Sequence, residues 1–194
     1  MRNLTGLKAI VTGASKGIGR AIAERLADEK TQLALVARNG ILLEERVADC
    51  SRRGAKAKPF VCDVGDAAAV ERQLKAAIDW LCGVDLLVNN AGLGYFGSVD
   101  QLTVAQFDEM ISTNLRGVFL CSRAVVPRMK ADGGGTIINL RLEIRPDGPL
   151  RMHGFGPARP QHPGHGNLPR LGQCPRFPPR PHEQNRARAY DPGR

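Results

Sequence analysis

The character of the chain changes near Leu140, and this change limits where a folded core can form. Residues 141–194 contain 11 of the 13 prolines, all four histidines and ten arginines, but no lysine, serine, threonine or valine. A segment so poor in aliphatic residues cannot bury enough apolar surface to offset the entropy of ordering it. We therefore predict a folded domain over residues 1–140 and a disordered Arg/Pro/Gly-rich tail over residues 141–194.

The positive charge of the chain is concentrated in this tail. The formal net charge is +9, and ten arginines against four acidic residues give the tail +6 of it. The charge is therefore weak evidence that the folded domain binds an anionic partner. A basic arm that contacts nucleic acid or an acidic protein stays an alternative. The tail offers only Phe155, Phe177 and Tyr190 for base stacking, so nucleic acid is not the expected partner.

Cysteine and hydropathy patterns predict a reduced, cytoplasmic protein. The five cysteines show no CxxC spacing. No apolar run approaches the roughly 20 residues of a membrane span, and the amino terminus has no signal-peptide core. The pair His162 and His165 lacks a CxxC or carboxylate partner, so no metal site is expected.

Apolar runs alternate with amphipathic segments through the first 140 residues. The predicted strands are Leu7–Thr12, Gln32–Ala37, Ala57–Cys62, Val84–Asn89 and Thr136–Leu140. The predicted helices are Gly17–Lys30, with an apolar stripe of Ile18, Ile22 and Leu26, then Asn39–Arg53, Ala67–Leu81 and Val104–Lys130, with a possible break near Asn114. This alternation predicts an α/β fold with a doubly wound parallel sheet of the Rossmann type, ending after its fifth strand. Ligands of such sheets bind beyond the carboxyl ends of the strands.

The sequence TGASKGIG at residues 12–19 falls between the first strand and the first helix. Gly13 would allow a sharp turn, Gly17 a close approach of the backbone to a pyrophosphate, and Gly19 close helix–sheet packing. The helix amino terminus would then present free N–H groups to phosphate. A glycine-rich turn without a ligand is the alternative interpretation of this segment alone.

The second strand ends at Ala37 and is followed by Arg38, with no acidic residue beside it. A cation at this position suits a ribose 2′-phosphate, whereas an acidic residue suits a free 2′-hydroxyl. Together with Lys16, Arg38 therefore predicts NADP(H) in preference to NAD(H). A solvated arginine at a strand end is the alternative.

Four motifs in order resemble the short-chain dehydrogenase/reductase family over about residues 4–140. They are TGASKGIG at 12–19, Cys62-Asp63-Val64 after the third strand, Asn89-Asn90-Ala91-Gly92 after the fourth, and Asn114 in the long helix. The resemblance implies that the cofactor diphosphate and ribose contact Gly13, Ser15, Lys16, Gly17, Ile18 and Gly19. It implies that Asp63 and Val64 flank the adenine, that Asn90, Ala91 and Gly92 approach the ribose, and that Asn114 is a catalytic residue holding a proton-relay water. Taken singly, Asp63 could instead be a helix cap and Asn114 the mark of a helix irregularity.

The family's proton-transfer residues have no counterpart in this chain. The resemblance implies a serine after the fifth strand and then a Tyr-x-x-x-Lys pair, in which the lysine lowers the pKa of the phenol. Arg141 stands where serines are expected, Tyr95 comes too early, and Tyr190 is followed four residues later by Arg194 across a proline and a glycine.

We interpret the chain as an oxidoreductase by descent that is catalytically incomplete. Abundant arginine and proline without lysine, beginning abruptly inside a motif, suggest that a frameshift in a GC-rich gene produced the tail. The family implies a small carbonyl or alcohol substrate and a homo-oligomer, whose interface we expect to be lost here, with marginal stability or aggregation as the result. A non-catalytic NADP(H)-binding protein is the alternative.

Overall fold

The computed structural model of the chain describes residues 4–140. The tail of residues 141–194, with its predicted disorder, its histidines and the pair Tyr190–Arg194, lies outside the described residues. The strands are β1 Lys8–Thr12, β2 Gln32–Ala37, β3 Lys56–Val61, β4 Leu86–Asn89 and β5 Thr136–Asn139. The helices are α1 Gly17–Asp28, α2 Gly40–Arg52, α3 Ala67–Leu81, α4 Val104–Ile111 and α5 Gly117–Ala131, with a π-helical segment Ser112–Arg116 between the last two.

The five strands form one parallel sheet in the order β3-β2-β1-β4-β5. In the register of the centre, Val11 lies opposite Leu35 on one side and Val88 on the other. The chain moves outward from β1 to β3 and then returns across β1 to β4. This reversal confirms the predicted doubly wound sheet and creates a crevice at the carboxyl ends of β1 and β4.

Helices cover both faces of the sheet and form two separate cores. On one face, α3 and α5 pack against inward side chains such as Ile10, Val36 and Leu87. On the other face, α1 and α2 pack against Val11 and Leu35. Burial on both faces explains why the inner strands consist of continuous apolar runs rather than alternating ones.

Two predicted element ends differ from the structure for local reasons. Helix α1 stops at Asp28 rather than Lys30, because Lys30 adopts a left-handed conformation with φ of 57°. Strand β4 begins at Leu86 rather than Val84, and just before it the carboxylate of Asp85 accepts the N–H of Lys8 at 2.8 Å. The other strand and helix ends agree within one residue, except for the break described next.

The predicted helix Val104–Lys130 consists of three segments. A π-helical turn at Ser112–Arg116 separates α4 from α5, which confirms an irregularity around Asn114. Helix α5 buries Cys121, Val125 and Met129, whereas α4 has no buried residue. The irregular turn therefore joins a well-packed helix to one that lies at the surface.

The stripe predicted for α1 is displaced by one position. The buried residues are Gly19, Ala23 and Ala27, while Ile18 is 53% exposed. Small side chains let α1 approach β1 closely, and the larger Ile22 and Leu26 pack at the margin of the core. The sequence interpretation was wrong about Ile18 because apolar character does not separate a core position from one at the edge of a cavity.

Apolar surface is exposed where the family resemblance implies further structure. Within residues 4–140, β5 pairs only with β4, and its other edge has no strand beside it. Large apolar side chains are exposed at four-residue intervals along α4, the π turn and the start of α5: Phe107, Ile111, Leu115 and Phe119. The expectation of marginal stability stays a prediction. None of the described helices is long and apolar enough to span a membrane.

Candidate functional site

A cavity of about 480 Å³ lies beyond the carboxyl ends of β1, β2, β3 and β4. Its walls contain eleven of the twelve residues that the sequence predicted for cofactor binding: Gly13, Ser15, Lys16, Gly17, Ile18, Arg38, Asp63, Val64, Asn90, Ala91 and Gly92. The twelfth, Gly19, lies beneath this wall. Ala37, Asn39, Leu42, Cys62 and Thr113 complete the lining and were not predicted.

The glycines of the turn have different structural roles. Gly13 has φ of 66°, and a Cβ there would lie 2.8 Å from the Ala91 Cα, so the turn after β1 touches the loop after β4. A Cβ on Gly19 would lie 2.3 Å from the Asn90 Nδ2, which explains why this helix position must be glycine. Gly17 has φ of 58°, and a Cβ there would meet nothing within 4 Å. Gly17 therefore faces open space in the cavity, as a phosphate-binding turn requires.

Thr12 joins the two central loops and was missed by the sequence interpretation. Its hydroxyl is buried, accepts the N–H groups of Asn90 and Ala91 at 3.0 Å each, and donates to the Val88 carbonyl at 3.3 Å. The Asn90 amide donates back to the Thr12 carbonyl at 3.0 Å and to the Gly13 carbonyl at 3.3 Å. A buried hydroxyl-bearing residue immediately before the first glycine is the signal that could have predicted this link.

The amino terminus of α1 is open toward the cavity. The N-cap residue Lys16 makes no side-chain hydrogen bond to the first turn, which contains no acidic residue. By contrast, Asn39 caps α2, Asp66 caps α3 and Thr103 caps α4. Helix α1 therefore keeps its N–H groups and the positive end of its dipole available for an anion.

Arg38 lies at the mouth of the cavity between two carboxylates. Its guanidinium Nη1 is 3.9 Å from the Asp63 Oδ2 and 3.8 Å from the Glu109 Oε1, and its side chain is 61% exposed. Asp63 also accepts the N–H of Gly65 at 2.9 Å. Asp66, not Asp63, caps α3, so the helix-cap interpretation of Asp63 was wrong.

Asn114 lies in the π turn and holds the loop after β4. Its amide nitrogen donates to the Leu93 carbonyl at 2.8 Å, and its amide oxygen accepts the Leu93 N–H at 2.9 Å. The same oxygen would lie 3.3 Å from a Cβ on Gly92. Both ends of the side chain are thus engaged by backbone. Its neighbour Thr113, rather than Asn114, forms part of the cavity wall.

Two further side chains near the cavity have raised pKa values. Burial raises the pKa of the Cys62 thiol to about 11, and the nearby Asp63 carboxylate adds to the rise. The hydroxyl of Tyr95 donates to the Glu109 Oε2 at 2.5 Å, and this bond raises the pKa of the phenol, since it stabilises the protonated form. Neither group is poised to transfer protons near neutrality.

Comparison with known proteins identifies the family. The model of the short chain dehydrogenase family matches residues 8–141. The chain belongs to this family. It is similar to D-threitol dehydrogenase of Mycolicibacterium smegmatis, with 36% identity over 137 residues that cover 71% of this chain and 53% of that protein. A 3-oxoacyl-[acyl-carrier-protein] reductase of Staphylococcus aureus is 36% identical over 133 residues, covering 68% of this chain and 54% of the relative.

Solved structures of this family have the same fold. NAD⁺-bound xylitol dehydrogenase superposes with a TM-score of 0.68 at 34% identity, covering 71% of this chain and 54% of that one. A metagenomic short-chain oxidoreductase in complex with NADP has a TM-score of 0.68 at 35% identity, covering 71% and 62% respectively. The chain spans about half the length of the curated relatives it matches.

Proposed function

We propose that the cavity is the cofactor site of a nicotinamide-dependent oxidoreductase and that it prefers NADP(H) to NAD(H). The observation that carries the proposal is the position of Arg38 at the mouth of a cavity whose opposite wall is the uncapped amino terminus of α1. Lys16 adds a second cation beside that helix terminus. Related structures in complex with either NAD⁺ or NADP support a dinucleotide, and the cation after β2 favours the phosphorylated one.

Each part of the cofactor would have its own set of residues. The diphosphate and adjoining ribose would contact the turn Gly13, Ser15, Lys16, Gly17, Ile18 and Gly19, whose N–H groups and dipole favour anions. Asp63 and Val64 would flank the adenine, and Arg38 would bind the 2′-phosphate. Asn90, Ala91 and Gly92 would approach the second ribose, and Asn114 would hold the proton-relay water of the family. The bound nicotinamide would supply or accept a hydride, with a small carbonyl or alcohol as the substrate.

We further propose that the 194-residue chain binds this cofactor without reducing a carbonyl. General acid catalysis contributes about 10²- to 10⁴-fold to such reactions. The chain contains no Tyr-x-x-x-Lys sequence. Within the described residues, Tyr95 is the one phenol, and its hydroxyl is engaged by Glu109. Binding depends on residues that surround the cavity, whereas turnover needs a proton donor that these residues do not provide.

The test combines binding and turnover on one preparation. NADPH and NADH are titrated into the full chain, its R38Q variant and a control, R25Q, which removes an equal charge at the last turn of α1. We expect R38Q to weaken NADPH about tenfold or more, since hydrogen bonds to charged groups contribute strongly, and to change NADH little. Equal effects of R38Q and R25Q would contradict the cofactor preference. Oxidation of NADPH with a panel of ketones would contradict the absence of turnover.

A further inference from the structure

Arg38 is not a free cation waiting for a phosphate, because it already faces two anions. The carboxylate of Glu109 comes from α4, which lies far along the chain from the glycine-rich turn, and approaches the guanidinium as closely as Asp63 does. A 2′-phosphate that binds Arg38 would therefore enter a region that Glu109 makes negative.

Glu109 is held in this position by the loop after β4. The hydroxyl of Tyr95 donates to one carboxylate oxygen of Glu109, while the other oxygen faces Arg38. The backbone N–H of Tyr95 also contacts the Met110 sulfur at 3.5 Å, so this loop is attached to α4 at adjoining residues. Because one oxygen is tied to the phenol, the carboxylate is directed toward Arg38 instead of toward solvent.

We propose that Glu109, held by Tyr95, is a specificity-determining residue that opposes the ribose phosphate of NADP(H) and narrows its advantage over NAD(H). The inference rests on the proposed cofactor site. A 2′-phosphate carries between one and two negative charges near neutrality, whereas a 2′-hydroxyl carries none. Repulsion by Glu109 therefore acts on one cofactor and spares the other. The carboxylate also competes with the phosphate for the same guanidinium.

The experiment measures the dissociation constants of NADPH and NADH for the full chain and three variants. E109Q removes the charge and keeps the shape. E29Q is the matched control, since Glu29 follows the carboxyl end of α1, at the opposite end of that helix from the cavity. Y95F removes the hydrogen bond but keeps the Glu109 charge. Urea unfolding of each variant confirms that it is folded before titration.

We expect E109Q to tighten NADPH about 2- to 5-fold, in the range set by exposed charge pairs, with NADH unchanged within about twofold. The gain should shrink as salt is raised, because salt screens exposed charges. Y95F should give a smaller gain in the same direction, and Y95F in the E109Q background should add nothing, because the phenol acts only through the carboxylate.

The outcomes separate failure of the inference from failure of the proposed cofactor site. If E109Q and E29Q change NADPH affinity equally, or if E109Q tightens NADH as much as NADPH, the role of Glu109 is refuted while the cofactor site stands. If neither nucleotide binds the parent chain at millimolar concentration, the cofactor site itself is refuted, and the inference falls with it.

Discussion

Replacing Thr12 by valine should destabilise the domain far more than the loss of one hydroxyl suggests. The hydroxyl is 1% exposed as part of its residue and serves three backbone groups, two N–H donors and one carbonyl. Valine has nearly the same shape but leaves the N–H groups of Asn90 and Ala91 without this acceptor. A buried donor without a partner costs about 1–3 kcal/mol. Water from the adjoining cavity can reach part of this site, so we expect a loss of about 2–4 kcal/mol in the free energy of unfolding.

The assay is urea unfolding of the full chain with two controls. T12S keeps the hydroxyl and should lose about 1 kcal/mol, the value of one buried methyl group. Thr31 is also fully buried, but its hydroxyl only donates, at 2.9 Å, to the Leu26 carbonyl, which also accepts the N–H of Glu29. T31V therefore leaves no group unpaired and should cost about 1 kcal/mol or less.

The two threonines are compared through the midpoints of their unfolding curves. With a denaturant slope of about 2 kcal/mol per molar urea, T12V should lower the midpoint by about 1–2 M. The reasoning is refuted if T12V and T31V have the same midpoint, because the paired backbone donors then contribute nothing. T12V should also weaken NADPH binding, since the loop that carries Asn90 loses its attachment to β1.

Two further predictions concern the turn and the thiols. G19A should abolish dinucleotide binding and destabilise the fold, because its methyl group would lie 2.3 Å from the Asn90 Nδ2; a variant that binds NADPH as the parent does would contradict the close packing. At pH 8, alkylation followed by peptide mapping should label the exposed Cys82 well before the buried Cys62. Because the pKa of Cys62 is raised to about 11, its labelling should accelerate as the pH rises toward that value, and NADPH should slow it; fast labelling of Cys62 at pH 8 would contradict its burial.

Local patterns predicted the sheet well because strands and helices of this fold carry their burial in sequence. The run Gln32–Ala37 and the segment Ala67–Leu81 were placed with correct ends. In the first, the five residues after Gln32 are buried, and in the second Asp66 provides an N-cap that the residue type signals. The family resemblance then gave the order of motifs, which the parallel topology brings to one cavity.

Contacts between distant segments were beyond the reach of the sequence. The approach of Glu109 to Arg38 joins residues that lie on α4 and after β2, and no local pattern indicates it. The hydroxyl of Thr12 looked like the end of a strand because its partners lie almost 80 positions later. Ile18 was assigned to the core because its spacing matched a helix stripe, but spacing does not reveal what lies opposite a side chain.

The π turn at Ser112–Arg116 has a consequence for how the domain tolerates changes in length. A π turn accommodates one more residue than the regular helix around it. Deleting one residue there would convert the stretch into ordinary helix and rotate whatever follows by about 100°, the angle between successive residues. Cys121, Val125 and Met129 would then face away from α3. The surplus residue is thus built into the geometry of the core, and a single-codon deletion at this place should be far more harmful than one in the exposed loop before α4.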